Sequence, residues 1–323
     1  MKKSKKFLAI LMAAAMMTTA TACGSSSSGN AEYNVGVCQL VEHPALDEAT
    51  KGFEDALKEK LGDKVYVDIK NAQNDSPTCS TITNTFVSNE YDLILANATP
   101  ALQAASASTS KIPILGTSIT DYATALGITD WKGTTGMNIS GTSDLAPLDK
   151  QAECIKELFP DAKNIGILYC SAEANSKYQS KVIQEYLTEM GYTCKEYTFA
   201  DSNDVATVTQ SACDGSDVIY IPTDNTAANC TEAINNVALP AKTPIFAGES
   251  GICSGCGVAT LCIDYYDIGY TAGEMAYEIL VNNADPATME IKTAPEVTKK
   301  YNKANAEALG ITIPEGYEAI DAE

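Results

Sequence analysis

Short apolar runs with helical patterns between them recur along this chain at near-regular intervals, and that rhythm constrains its fold more than any other feature. YNVGVCQ is followed by PALDEATKGFEDALKEKLG, where Leu46, Ala49, Phe53, Ala56 and Leu57 share one helical face and Gly62 suits the C-terminal stop. VYVDI leads to a helix around Cys79, Ile82 and Phe86, and YDLILA, a helix over 99–109, IPIL and TTGMNI complete about five strands in the first half. NIGILYC opens a second series with a helix over about 174–190, then YTCKEYTF, DVIYI, TPIFA and GVATLCI. Alternation of this kind predicts an α/β protein with parallel sheets, in two similar halves. No Pro/Ser-rich linker separates the halves. DYYDIGYTAGEMAYEIL reads as a helix with room to return to the first lobe, and the tail from about Pro295 crosses again, so several strands join the lobes. The expected boundaries are 32–140 plus 266–291 for lobe 1 and 141–265 plus 292–323 for lobe 2.

The N-terminus is of another character. MKKSKK followed by FLAILMAAAMMTTA is a basic n-region and a short apolar h-region ahead of small residues, an export signal over 1–22. The apolar run is shorter than the ~20 residues a spanning helix needs. It ends in TATAC, so Cys23 stands where a lipoprotein signal peptidase would leave a diacylated N-terminus, although Ala20 occupies the usual leucine place. Residues 23–31 then form a lipid-anchored Ser-rich tether to the cell membrane. Ordinary secretion with cleavage near Ala22 is the alternative. Either way the mature chain works outside the cytoplasm.

Charge excludes some partners. The formal net charge is -20, which repels phosphate backbones, so no nucleic acid is expected. All 22 basic residues are lysines, so any bound carboxylate is held without a guanidinium fork. Eleven cysteines in an exported chain permit disulfides without implying them. Cys38, Cys79, Cys170 and Cys262 read as small buried hydrophobes. Cys253 and Cys256 form a CxxC in GICSGCG, whose glycines read as a loop, with no second CxxC or histidine to complete a metal site. The only histidine, His43, has no second histidine to share a metal and no GxSxG serine to activate, so no metal, cofactor or catalytic residue is expected.

In parallel α/β sheets ligands bind beyond the carboxyl ends of strands, so the strand-end segments carry the function. They are QLVEHPAL, KNAQND, ANATPAL, GTSITD, SGTSDLAP, YCSAEANS, PTDNTAAN, AGESGI and LCIDYYDIG. VEHP, NAQ, ATPA, SAEANS, PTDNT and IDYYD, in this order, closely resemble the substrate-binding lipoproteins of ABC importers, in the family that includes tryptophan and tyrosine binders. The resemblance runs from about Tyr33 to Tyr317. It implies a type I periplasmic-binding-protein fold, with two Rossmann-like lobes closing over an amino acid that is delivered to a separately encoded permease and ATPase. CSGC and the cysteine count depart from the family pattern. The chain is expected to act as a monomer.

On this reading Glu42 and His43 face the cleft from the first strand-end loop. A zwitterion needs acceptors for its ammonium and donors for its carboxylate. Thr99, Thr117 and Ser118, opposed by Ser171 and Asn175, are the candidates for the carboxylate, together with backbone N–H groups at helix starts. Asp224 and Glu249, with Glu42 as a rival, are the candidates for the ammonium; Asn225 and Asp264 complete the candidate set. Each of these types also serves as a cap or turn residue. A sugar-binding relative, a surface adhesin or an extracytoplasmic enzyme on the same scaffold are the competing functions.

Overall fold

A computed structural model describes residues 31–320, which form one compact unit. The export signal and Cys23 lie outside the described residues. The first sheet contains β1 (Tyr33–Gln39), β2 (Val65–Asn71), β3 (Leu93–Asn97), β4 (Ile114–Ile119) and β5 (Ile139–Ser143). The second contains β6 (Asn164–Cys170), β7 (Thr193–Phe199), β8 (Val218–Ile221), β9 (Ile245–Ala247) and β10 (Ala259–Cys262). Three short late strands follow: β11 (Lys292–Thr293), β12 (Thr298–Tyr301) and β13 (Glu318–Ala319).

The sheet orders are β11-β5-β4-β3-β1-β2 and β13-β12-β10-β9-β8-β6-β7. The first five strands of each lobe therefore share the doubly wound order 2-1-3-4-5, all parallel, whereas β12 and its parallel neighbour β13 run the other way, β12 pairing antiparallel with β10. Because helices cover both faces of each sheet, central strands are apolar without alternation: every residue of β3 and of β8 is buried. Two apolar clusters lie on opposite faces of each sheet.

The strand segments read from sequence are present, with one shift. TTGMNI supplies only the start of β5, which runs on through SGTS, so β5 crosses the expected lobe boundary after residue 140. Lys292 and Thr293 pair with it, so the first sheet also reaches past 291. The cause is that hydroxyl-rich SGTS is fully buried in this sheet, where Thr142 Oγ1 donates to Thr117 Oγ1 at 3.0 Å and Ser143 Oγ to the Thr120 carbonyl at 3.1 Å. Internal pairing makes such residues acceptable in a core, and hydrophobicity alone does not reveal it.

The chain passes between sheets after β5, after β10 and after β11. The helix Tyr265–Asn282, which follows second-sheet strand β10, packs on the first-lobe helix Pro44–Leu61. Glycines permit this approach: a Cβ at Gly52 would lie 2.2 Å from the Tyr266 carbonyl oxygen, and one at Gly269 only 1.9 Å from that of Ala49. Among the described residues no helix is long and apolar enough to cross a membrane.

Cys253 and Cys256 correct one reading. GICSGCG forms the short helix Ser250–Gly255 with Cys256 just after it, not an open loop. Both thiols are buried and burial pushes their pKa values up, the reverse of what a redox-active thiol requires. All ten cysteines of the described residues are free.

Candidate functional site

The carboxyl ends of both sheets face each other across a narrow, nearly closed cavity. His43, Leu46 and Ser118 come from the first lobe, and Asn175, Thr223, Asp224, Asn225, Ala228 and Glu249 from the second. Asp144 and Tyr265, at two of the crossings, complete the wall.

Local sequence explains how these groups are held. His43 lies just beyond β1, with Pro44 at the first helical position, where its missing N–H costs nothing. The start of that helix is fastened by buried polar pairs: Asn97 Nδ2 donates to the Leu46 carbonyl at 2.8 Å, and Thr50 Oγ1 donates to Gln39 Oε1 at 2.6 Å. Ser118 takes a left-handed φ of 56° at the end of β4. The helix Ala174–Glu189 brings Asn175 to the cavity from the end of β6.

The wall holds three carboxylates, Asp224, Glu249 and Asp144, and their oxygens are largely occupied. Asp224 Oδ1 accepts from Ala227 N at 2.8 Å, and Oδ2 accepts from Cys170 N and from Ser176 Oγ, both at 2.7 Å. Glu249 accepts from the Gly251 and Ile252 amides at the start of its own helix. Asp144 Oδ2 accepts from the Tyr265 hydroxyl at 2.9 Å and Oδ1 from Thr120 Oγ1 at 3.2 Å. Asp224 is thus a cap and a brace between β6 and the segment after β8 before it is anything else. Burial pushes Asp144 up to about 6 and Glu249 up to about 7, and it raises Asp224 as well, with the nearby charge of Glu173 adding to the effect.

Three polar atoms on the wall are buried without a partner: His43 Nδ1, Ser118 Oγ and Asn175 Oδ1. Buried polar groups are normally paired, and these three orphans belong to residues that line one cavity from both lobes. The lobes also touch directly. His43 Nε2 is 3.3 Å from Asn225 Oδ1, Asn74 Nδ2 donates to Thr226 Oγ1 at 3.1 Å, and Gln179 Nε2 donates to Thr120 Oγ1 at 3.1 Å.

Of the residues expected from sequence, His43, Ser118, Asn175, Asp224, Asn225 and Glu249 converge on the cavity. The others do not line it. Glu42 is exposed beside a separate groove with Asp47 and Lys51. Thr99 is buried in the first turn of Thr99–Ser108, and Thr117 is held by Thr142. Ser171 Oγ donates to the Phe199 carbonyl at 3.1 Å, and Asp264 caps Asp267 N at 3.1 Å. The side chains of Thr117, Ser171 and Asp264 are thus spent on nearby backbone or within the sheet. Asp144, Thr223, Tyr265 and Glu173, which lies just behind the wall, were not singled out, although SGTSDLAP, PTDNTAAN, LCIDYYDIG and YCSAEANS contain them.

Two measurable consequences follow from this wiring. Asp224→Asn turns one acceptor oxygen into a donor, so either the Cys170 or the Ala227 amide is left facing N–H; stability should fall by about 1–3 kcal/mol. An unchanged urea midpoint would show the three bonds to be dispensable. His43 is held down from 6.5 to about 4, chiefly by burial, with Asn225 and Glu173 acting weakly in the other direction. On acidification the unfolded chain therefore takes up this proton first. The stability tied to neutral His43 is complete above 6.5 and lost as pH falls toward 4, a loss of about 3 kcal/mol. Asp144 and Glu249 act oppositely: their contribution is complete below their ordinary carboxyl range and is lost as pH rises through about 6 to 7. Both variants share those carboxyls, so urea unfolding of wild type and His43→Gln at several pH values isolates the histidine; wild type should lose ground only on acidification, and a pH-independent gap would contradict the buried neutral imidazole.

Comparison with known proteins agrees with this architecture. The family model described as ABC transporter substrate binding protein matches residues 34–320. The chain is 40% identical over 295 residues to a tyrosine-binding protein of Clostridioides difficile, covering 87% of this chain and 85% of that one. A Streptococcus pneumonia structure, described as the ABC domain in complex with L-Trp, is similar at 33% identity and TM-score 0.85, covering 89% of this chain and 99% of that one. The ligand-free, open structure of a Clostridium difficile substrate-binding protein with adhesive properties is similar at 36% identity and TM-score 0.69, covering 90% and 100%. By sequence over nearly its whole described length, and by its two-lobed type I periplasmic-binding-protein fold, this chain belongs to the ABC transporter substrate-binding proteins, which bind solutes and do not catalyse.

Proposed function

We propose that this protein is the extracytoplasmic receptor of an ABC importer and takes one free aromatic amino acid in the cleft between its lobes. The observation that carries this reading is the set of unpartnered polar atoms His43 Nδ1, Ser118 Oγ and Asn175 Oδ1 on one cavity wall. Acceptors and ionisable carboxyls suit an ammonium group. For the carboxylate, two long helices begin at the cavity with residues that make no side-chain cap bond, Pro44–Leu61 after His43 and Ala174–Glu189 after Glu173. Their first-turn amides and the positive ends of their dipoles suit an anion, which answers the absence of arginine. Leu46, Ala228 and Tyr265 give the wall its apolar share. The named ligands of the tyrosine-binding and L-Trp-bound relatives favour an aromatic side chain.

The described conformation is read as the closed one. The greater likeness to the L-Trp complex than to the ligand-free open structure supports this, as do the direct hydrogen bonds between lobes. The moving bodies are taken as 32–143 with 266–293 against 144–265 with the chain beyond 293. Cys23 is taken as the lipidated residue that tethers the receptor at the membrane, where a permease with its ATPase receives the solute.

A thermal-shift screen tests the ligand: at a hundred times its Kd a ligand stabilises the folded state by about 2.7 kcal/mol. L-Tyrosine, L-tryptophan or L-phenylalanine should raise Tm by several degrees, and a response to sugars with none to amino acids would overturn the reading. Cys23→Ser should move the protein from the membrane to the soluble fraction of cells; retention at the membrane would exclude the lipid anchor.

A further inference from the structure

Glu173 is the most heavily hydrogen-bonded carboxylate of the cleft. Its Oε1 accepts from Thr226 N and Thr226 Oγ1, both at 2.9 Å. Its Oε2 accepts from Asn225 N at 3.0 Å, Asn225 Nδ2 at 2.7 Å and Asn175 Nδ2 at 3.0 Å. Five donors converge on this side chain, so it acts as an acceptor throughout.

That fixes the polarity of its neighbours. Each asparagine must turn its NH₂ toward Glu173, since the flipped amide would set oxygen against oxygen. The Asn175 oxygen is thereby left as the unpartnered acceptor on the cavity wall. The Asn225 oxygen is left facing His43 Nε2 at 3.3 Å, where it can only accept. The His43 proton must then sit on Nε2, and Nδ1, the unpartnered ring nitrogen, is a lone pair.

The geometry points to Glu173 as a positioning residue that, without touching the ligand, sets His43 Nδ1 and Asn175 Oδ1 as paired acceptors for the ligand ammonium. This rests on the amino-acid reading above. It also couples recognition to closure, because Glu173 and Asn225 belong to the second lobe and His43 to the first. The His43 tautomer is imposed only when the lobes meet.

The single histidine of the chain makes this directly readable, since ¹⁵N-histidine labelling reports His43 alone. Protein saturated with L-tyrosine should show one neutral tautomer, protonated at Nε2 with a hydrogen-bonded Nδ1. In Asn225→Ala, which keeps the backbone amide that Glu173 binds, the tautomer preference should be lost and L-tyrosine affinity should fall about tenfold. Affinity for 3-(4-hydroxyphenyl)propionate, which lacks the ammonium, should fall far less than that for L-tyrosine, a distinction that a general loss of structure would not produce. Tyrosine bound with His43 protonated at Nδ1 or cationic, or equal losses for both ligands, overturns the inference while leaving the amino-acid reading intact. If L-tyrosine, L-tryptophan and L-phenylalanine all fail to bind, the amino-acid reading falls. The assignment of His43 and Asn175 as acceptors for the ligand ammonium falls with it.

Discussion

Two lobes can meet at the carboxyl ends of their strands only if the helix starts gathered there are satisfied without water. Each helix begins with amides that no carbonyl of its own can reach, and closing the cleft buries them. Acidic and amide side chains answer that demand, and they do so across elements as well as within them. Asp224 serves the turn that follows it and also the Cys170 amide at the end of a neighbouring strand. Glu173 leaves its own helix uncapped and serves Asn225 and Thr226 instead. The cleft is therefore a network in which the oxygens left over after the backbone is satisfied are the ones available to a solute.

This explains why the same residue types invite two readings from sequence. In PTDNTAAN, Asp224 is a natural partner for an ammonium and an equally natural cap. The choice turns on whether Cys170 and Ser176, about fifty residues earlier, reach its second oxygen. No local pattern carries that information. His43, Ser118 and Asn175 were legible as cleft residues because strand-end position alone places them there. Thr117, one residue before Ser118, was not separable from it: the left-handed turn at Ser118 alters which way successive side chains point, and Thr117 pairs within the sheet.

The fold was far more legible than the site. NIGILYC coincides with β6, and the helix read over about 174–190 is Ala174–Glu189, because period and apolarity are local properties. The buried SGTS segment escaped because its hydroxyls are paired inside a sheet. Glu173 escaped for a related reason. YCSAEANS shows a carboxylate at a strand end, but its work is to orient two amides, one of them 52 residues away.

The packing of Tyr265–Asn282 on Pro44–Leu61 bears on how the molecule comes into being. With Gly52 and Gly269 letting the backbones nearly touch, the late helix covers one face of the first sheet and contributes Ala272, Met275 and Ala276 to its core. A chain emerging from a ribosome has made all five principal strands of that lobe long before this helix exists. Until then that side of the sheet is covered only in part, by Pro44–Leu61, so the lobe is a poor candidate for folding as a finished unit during synthesis. The order of synthesis thus leaves the first lobe short of part of its core until residue 282 has been made.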